Sequence, residues 1–155
     1  MDIVLKHILV PTDFSENSKV ALRYACALAE KFSAALHLVH VIEDRFLFAP
    51  GAEGYPAVVT DFKEVQAEVQ KQLEASVSAE WHQKLKVQTA IRRGAPFVEL
   101  IRYAREVPID LIVMGTHGRG VIAHMLLGSV AERVVRKSPC PVLTVRQPEH
   151  EFVLP

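Results

Sequence analysis

The sequence predicts an α/β fold with an open, five-stranded, largely parallel sheet and helices on both faces. Strand-like and helix-like segments alternate along the whole chain, as they do in a series of βαβ units. Residues 8–10 and 111–114 are continuous apolar runs, which are typical of central strands covered on both faces. Residues 85–92 alternate between apolar and polar or small side chains, which indicates an edge strand. Right-handed crossovers between neighbours then favour the strand order 3-2-1-4-5, a Rossmann-like arrangement.

The first predicted elements are a strand, a helix and a second strand. The first strand covers residues 3–10, and Ser15 is suited to cap the helix predicted over residues 15–32. A second apolar segment predicts a strand over residues 36–42, and the loop from Glu43 to Pro56 is long enough to be a lid or binding loop. The apolar stripe expected on the helix consists of Val20, Ala21, Tyr24, Ala25 and Leu28.

The remaining elements continue the alternation. Apolar residues recur every three or four positions from Val58 to Trp81, which predicts one long amphipathic helix. The edge strand follows it, so that five strands and four helices fill the chain. The later elements are a helix over residues 96–105, a strand over 110–115, a helix over 129–137 and a last strand over 141–146.

Composition limits the class of protein. The 18 acidic and 18 basic side chains cancel, so no global field attracts nucleic acid or an acidic membrane. No secretory signal or membrane-spanning segment is recognisable, which predicts a cytoplasmic protein. Cys26 lies in a helical pattern and Cys140 between two prolines, with no second cysteine at metal or redox spacing. Both are therefore expected to be reduced and structural. We expect one domain over residues 1–147 and a C-terminal tail over residues 148–155.

A glycine-rich segment follows the fourth strand, at the point where the predicted strand order reverses. Ligands of open α/β sheets bind at such a switch point. Gly115, Gly118 and Gly120 permit a tight turn with outward N–H groups, and Gly128 with Ser129 opens a helix, so that the two together could hold phosphate. Alternatively, Ser129 only caps its own helix, because Glu132 completes a capping box.

Two common nucleotide motifs are absent from the sequence. It contains no G-x-x-x-x-G-K-[ST], and its one G-x-G-x-x-A lookalike follows the fourth strand rather than the first. The spacing Gly115-x2-Gly118-x9-Gly128-Ser129, with ILVPTDFS near the start and SPCPVLTV near the end, instead resembles the ATP-binding branch of the universal stress protein family. The resemblance covers nearly the whole chain.

The resemblance implies an ATP site at the switch point. It places Pro11, Thr12 and Asp13 beside the adenosine, with the Asp13 carboxylate near the ribose and any phosphate-bound metal. The backbone of Val41 would meet the adenine edge, with Met114 nearby.

The same resemblance assigns the phosphate contacts. They would be the backbone N–H groups at Gly115, Gly118, Gly128, Ser129 and Val130, together with the Ser129 hydroxyl.

A dedicated transition-metal site is not favoured by the histidines. His117 and His124 lack a cysteine or carboxylate partner nearby, and His37 and His40 point to opposite faces of one strand. Mg²⁺ bound with the nucleotide is favoured instead, because it needs only one carboxylate besides phosphate and water. Asp13 would be that ligand, although it could equally cap the first helix or its entry turn.

The expected function is binding rather than catalysis, because no nucleophile–base pair and no second carboxylate accompany Asp13. Family resemblance implies a nucleotide-responsive module in stress response. Two alternatives remain open at this stage, namely a weak Mg²⁺-dependent ATPase and a nucleotide-free dimeric scaffold.

The last predicted strand leaves an open sheet edge. Residues 141–146, from Pro141 to Arg146, are rich in β-formers, and an unpaired edge pairs readily with another chain. We therefore expect a homodimer with antiparallel pairing along this strand, which is also the dimer that the resemblance implies. The alternative is that the tail, through Phe152, Val153 and Leu154, covers the edge.

Overall fold

Strands and helices alternate along the chain as the sequence predicts. The computed structural model describes residues 2–44, 48–49, 58–59, 61–117 and 127–146. The predictions about the tail and about Gly118, Gly120 and His124 concern residues outside these ranges, as does most of the loop that follows the second strand. The strands are β1 (His7–Pro11), β2 (Ala35–Ile42), β3 (Phe48–Ala49), β4 (Val58–Val59), β5 (Val87–Arg93), β6 (Leu111–Gly115) and β7 (Val142–Val145). The helices are α1 (Glu16–Phe32), α2 (Phe62–Ser76), α3 (Ala79–Lys84), α4 (Pro96–Glu106) and α5 (Ser129–Lys137).

The main sheet has the order β5-β2-β1-β6-β7, and every neighbouring pair is parallel. Counting only its five strands along the chain, this order is 3-2-1-4-5, so the predicted topology is confirmed. Ile8, Leu9 and Val10 in the central strand β1 are fully buried, whereas the residues of the edge strand β5 are at least partly exposed. The continuous apolar run of β1 therefore indicates a strand covered on both faces. The alternating pattern of β5 indicates a strand covered on one face.

Helices cover both faces of the sheet. α1 and α2 pack on one face, around a core that includes Ile8, Leu38 and Leu73. α4 and α5 pack on the other face, around Leu9 and Ile112. Because successive strand residues point to opposite faces, the single run from Ile8 to Val10 supplies both cores.

Two predictions about β1 and α1 are wrong. β1 begins at His7 rather than Ile3, because its partner β2 begins opposite His7, and Ile3 is 70% exposed. The N–H groups of Lys6 and His7 instead donate to Oδ2 of Asp110, at 2.7 and 2.9 Å. Tyr24 is 56% exposed, since α1 faces the sheet with small residues such as Ala25 and Ala29.

The predicted long helix is two helices, preceded by a short strand. β4 pairs antiparallel with β3, so the described part of the chain contains seven strands and five helices rather than five and four. The break falls at Val77, which is extended and buried, and the side chain of Ser78 then caps α3 by accepting a hydrogen bond from the Trp81 N–H. None of the described helices is both long and apolar enough to cross a lipid bilayer.

Candidate functional site

The sheet opens between β1 and β6. These strands pair only at Ile8 with Leu111 and at Leu9 with Ile112, although both strands continue beyond that point. β1 remains paired with β2 as far as Pro11, and β6 remains paired with β7 as far as Gly115. The carboxyl ends of the two central strands therefore separate, with α1 leaving towards one face and α5 lying on the other.

A cleft of about 770 Å³ lies at this opening. Nine of the ten predicted site residues line it, and the tenth, Gly118, lies outside the described residues. The nine come from four separate parts of the chain, which the topology brings to one edge of the sheet. They are Pro11, Thr12, Asp13, Val41, Met114, Gly115, Gly128, Ser129 and Val130.

Thr12 holds the turn between β1 and α1. Its N–H donates to the Val39 carbonyl at 2.9 Å, and its own carbonyl accepts from Nδ1 of His40 at 2.7 Å. Its hydroxyl accepts from the Phe14 N–H at 3.0 Å and lies 3.1 Å from the Ser18 hydroxyl. Thr12 is buried, so these contacts make it a support of the cleft wall.

Phe14 and His40 form part of the wall that the sequence reasoning missed. Phe14 has a φ of 64°, a left-handed conformation that is uncommon for an aromatic residue, and its ring stacks on His40 at 4.7 Å between centroids. The backbone conformation turns the ring back over β2. Such a conformation leaves no signal in the sequence pattern.

Asp13 lies at the entry to α1. Its Oδ1 accepts from the backbone N–H of Ser15 at 3.0 Å and from the Ser15 hydroxyl at 2.5 Å. The predicted entry-turn role is therefore present in the structure. It is compatible with a further ligand, because a carboxylate has two oxygens and several acceptor positions. The turn holds the carboxylate at the cleft lining.

The N-terminus of α5 differs from the predicted capping box. Gly128, with φ −67° and ψ 157°, is the capping residue, and no side chain caps the helix among the described residues. The Gly128 N–H donates to the Thr116 carbonyl at 2.6 Å, and its carbonyl accepts the first helical hydrogen bond, from Glu132. Ser129 is therefore the first helical residue, and its hydroxyl is not used as a cap.

The first turn of α5 faces the cleft. Ser129, Val130 and Ala131 precede the first helical hydrogen bond, so their N–H groups have no acceptor within the helix. All three residues line the cleft. A helix N-terminus with such N–H groups and a positive dipole end attracts an anion.

Gly115 has a packing role as well as a place in the cleft. A Cβ atom at this position would lie 3.0 Å from the backbone oxygen of Asn17 in α1. A side chain here would force β6 and α1 apart by a few tenths of an ångström, so their close approach favours glycine.

The described lining is acidic. It contains the carboxylates of Asp13, Glu43, Glu64 and Glu68, whereas neither lysine nor arginine is among the lining residues of the described chain. Glu64 and Glu68 come from α2, which sequence reasoning did not place at the site, so the expectation that no second carboxylate accompanies Asp13 is wrong. Their spacing of four residues puts them on one helix face, and this is the signal that was available. Among the described residues, the feature of the cleft that attracts an anion is the N-terminus of α5.

Comparison with known proteins gives consistent matches over nearly the whole chain. A profile of the universal stress protein family matches residues 5–146. Universal stress protein MJ0531 of Methanocaldococcus jannaschii is 35% identical over 147 residues, which cover 94% of this chain and 85% of that protein.

Universal stress protein MJ0577 of the same organism is 32% identical over 159 residues, which cover 95% of this chain and 98% of that protein. A solved structure of hypothetical protein MJ0577 superposes with a TM-score of 0.67 at 29% identity, over 96% of this chain and 100% of that one. The crystal structure of a universal stress protein in complex with cAMP superposes with a TM-score of 0.60 at 26% identity, over 92% of this chain and 98% of that one.

Proposed function

The chain belongs to the universal stress protein family, and from its cleft we propose that it binds ATP with Mg²⁺ as a nucleotide-responsive module of a stress response. The observation that carries the proposal is the N-terminus of α5, whose first turn lines the cleft without a side-chain cap. This arrangement offers several N–H groups to one anion. A relative of the same fold binds a nucleotide, cAMP.

The adenosine end of the proposed site is the apolar part of the cleft. Val39 and Val41 of β2, Leu100 of α4 and Met114 of β6 line it. Apolar side chains accommodate a base, and backbone groups at a strand end can read its edge. In this proposal the backbone near Val41 selects adenine over guanine.

The proposed cation follows from the charge of the lining. A triphosphate brings several negative charges into a cleft that already holds four carboxylates among its described residues. Mg²⁺ needs one protein carboxylate besides phosphate oxygens and water, and in this proposal Asp13, at the entry to α1, supplies it. When bound, the cation would neutralise phosphate charge.

Binding, rather than turnover, is the proposed activity. In this proposal ATP is a structural or signalling ligand in the cytoplasm, and any hydrolysis is slow. We also propose a homodimer through β7. Its segment, residues 141–146, lies at one end of the sheet order and has a single strand neighbour among the described strands.

The experiment that tests the proposal begins with freshly purified protein. Denaturation and chromatography should release an adenine nucleotide, and calorimetry on nucleotide-free protein should give micromolar or tighter binding of ATP with Mg²⁺, with weaker binding of GTP. Gly128→Val should abolish binding, because the new side chain stands where phosphate approaches the helix N-terminus. The φ of −67° at Gly128 suits any residue, so the variant is expected to fold.

Ser129→Ala serves as the matched control. It removes one hydroxyl but leaves the N–H groups, so we expect only a several-fold loss of affinity. A folded Gly128→Val protein with unchanged affinity would contradict the site. ADP accumulating at a rate that falls with Gly128→Val would favour the weak ATPase instead.

A further inference from the structure

A groove between α4 and α5 lies outside the cleft and shares none of its lining residues. Its volume is about 520 Å³, and its apolar lining consists of Phe97, Val98 and Ile101 of α4. Ile101 is buried, but Val98 is 37% exposed and Phe97 is only partly buried. The groove therefore presents apolar surface to solvent.

Basic side chains surround this apolar surface. The charged groups of Arg133 and Lys137 in α5 lie 5.0 and 5.7 Å from the centroid of the Phe97 ring. Arg105 of α4 and Lys137 also line the groove. Across the described ranges, no carboxylate forms an ion pair with any of these three cations.

The carboxylates near the groove already have partners. Glu99 is buried and pairs with Arg102, and Glu106 pairs with Arg92 at 2.5 Å. Three positive charges thus remain beside an apolar groove, in a chain whose formal net charge is zero. A complementary ligand carries apolar groups together with carboxylates.

The C-terminal tail has this chemistry. Residues 147–155, which lie outside the described part of the structure, place Glu149 and Glu151 directly before Phe152, Val153 and Leu154. We propose that this tail binds the α4–α5 groove of its own chain. Its apolar side chains would cover Phe97, Val98 and Ile101, and its carboxylates would face Arg105, Arg133 and Lys137.

The chain connectivity permits this contact. The tail follows Arg146 at the end of β7, and β7 packs against α5, which packs against α4. Nine extended residues span roughly 30 Å, whereas packed helices lie about 8–10 Å apart. Pro148 and Pro155 make the tail a poor edge strand but do not hinder binding in a groove. The outer edge of β7 stays available for a second copy of the chain.

The test is disulfide formation in the full chain with Cys140 replaced by serine; the other cysteine, Cys26, is buried. Val98→Cys with Leu154→Cys should cross-link within one chain at least tenfold faster than Tyr24→Cys with Leu154→Cys. Tyr24 is the control because it is exposed and lies on α1, on the opposite face of the sheet. Gel mobility without reductant and mass spectrometry measure the cross-link.

Two sets of charge-reversal variants test whether charge attraction holds the tail in the groove. Glu149→Lys with Glu151→Lys should slow cross-linking at Val98 several-fold, and so should Arg105→Glu with Lys137→Glu, because each pair of changes removes the charge attraction. Lys71→Glu, at an exposed position on α2, is the matched control and should have no effect.

A free peptide with the sequence QPEHEFVLP should also slow the reaction by competition. Equal rates at Val98 and Tyr24 would overturn the proposal. Disulfides formed mainly between two chains would overturn it in favour of binding to a second copy.

Discussion

The hydroxyl of Tyr103 lies 2.9 Å from Nδ1 of His37, in a buried contact that links α4 to β2. On its other side, Nε2 of His37 lies 3.0 Å from Nδ1 of His7. His37 is 1% exposed. Burial, helped by the charges of His7 and Lys86, lowers its pKa to about 4. Burial also raises the pKa of Tyr103. The pair therefore stays neutral near pH 7.

Protonation of His37 should make the protein less stable in acid. The pKa is about 4 in the folded state against 6.5 for an ordinary histidine, so the unfolded chain binds the proton more readily. The contribution of the neutral imidazole to the free energy of unfolding is complete above pH 6.5 and is lost as the pH falls towards 4. The total loss over this range is about 3 kcal/mol. Urea unfolding across this range should show a flatter pH dependence for His37→Gln than for wild type.

The control for that experiment is His82→Gln, at an exposed position on α3. His37→Gln should also cost about 1–2 kcal/mol at pH 7.5, because the contacts with Tyr103 and His7 change. A pH dependence as steep as that of wild type would contradict the assignment to His37.

Gly115→Ala should destabilise the protein without removing the nucleotide site. The added Cβ would lie 3.0 Å from the Asn17 backbone oxygen, and overpacking of this kind costs about 1–3 kcal/mol. Thermal unfolding should show the loss, and calorimetry well below the melting temperature should show ATP affinity within a few-fold of wild type. Normal stability with lost affinity would contradict the packing role and indicate that the bound nucleotide, rather than α1, excludes a side chain at Gly115.

Asp13→Asn should weaken ATP binding chiefly when Mg²⁺ is present. The amide can still accept the hydrogen bonds from Ser15 but is a poor Mg²⁺ ligand. We expect a tenfold or greater loss with Mg²⁺ and little change with EDTA, both measured by calorimetry. An equal loss in both conditions would indicate that Asp13 contacts the ribose instead.

Glu64→Gln with Glu68→Gln should strengthen nucleotide binding when no divalent cation is present. These carboxylates of α2 line the cleft and would repel uncompensated phosphates. We expect a several-fold gain for ATP in EDTA and a smaller gain with Mg²⁺. Glu74→Gln with Glu80→Gln, at exposed positions outside the cleft lining, is the matched control. The absence of any gain would show that the phosphates lie far from α2.

Thr144→Pro should convert the proposed homodimer into a monomer. The Pro141 carbonyl accepts from Ile112 of β6, and the Val145 carbonyl accepts from Thr116, the residue after β6. By alternation Leu143 also faces β6, and Thr144 faces the outer edge. Proline at Thr144 removes an outward donor, whereas proline at Leu143 would damage the sheet itself. Light scattering at tens of micromolar should give a dimer for wild type and for Thr144→Val, which keeps the donor. A monomeric wild type would contradict the interface.

The sequence alone predicted the order of the strands in the sheet and most of the residues that were expected to line the cleft. The apolar runs at residues 8–10 and 111–114 are local patterns, and they depend only on how many faces of a strand are covered. Once those strands are central, the residues after them must meet at the switch point. Asp13 follows β1 and Gly115 ends β6, so topology brings both to one edge, whereas Ser129 was assigned from the helix-start pattern and the family resemblance.

Tertiary contacts decided the remaining features, because periodicity gives the face of an element but not how that element is rotated against its neighbours. The sequence allowed Ser129 to cap α5, but the hydrogen bond from Gly128 to Thr116 places the cap one residue earlier. Periodicity likewise does not show how α2 is rotated. Its packing against β2 and β5 brings Glu64 and Glu68 to the cleft. Such contacts join residues distant in sequence, so no local pattern encodes them.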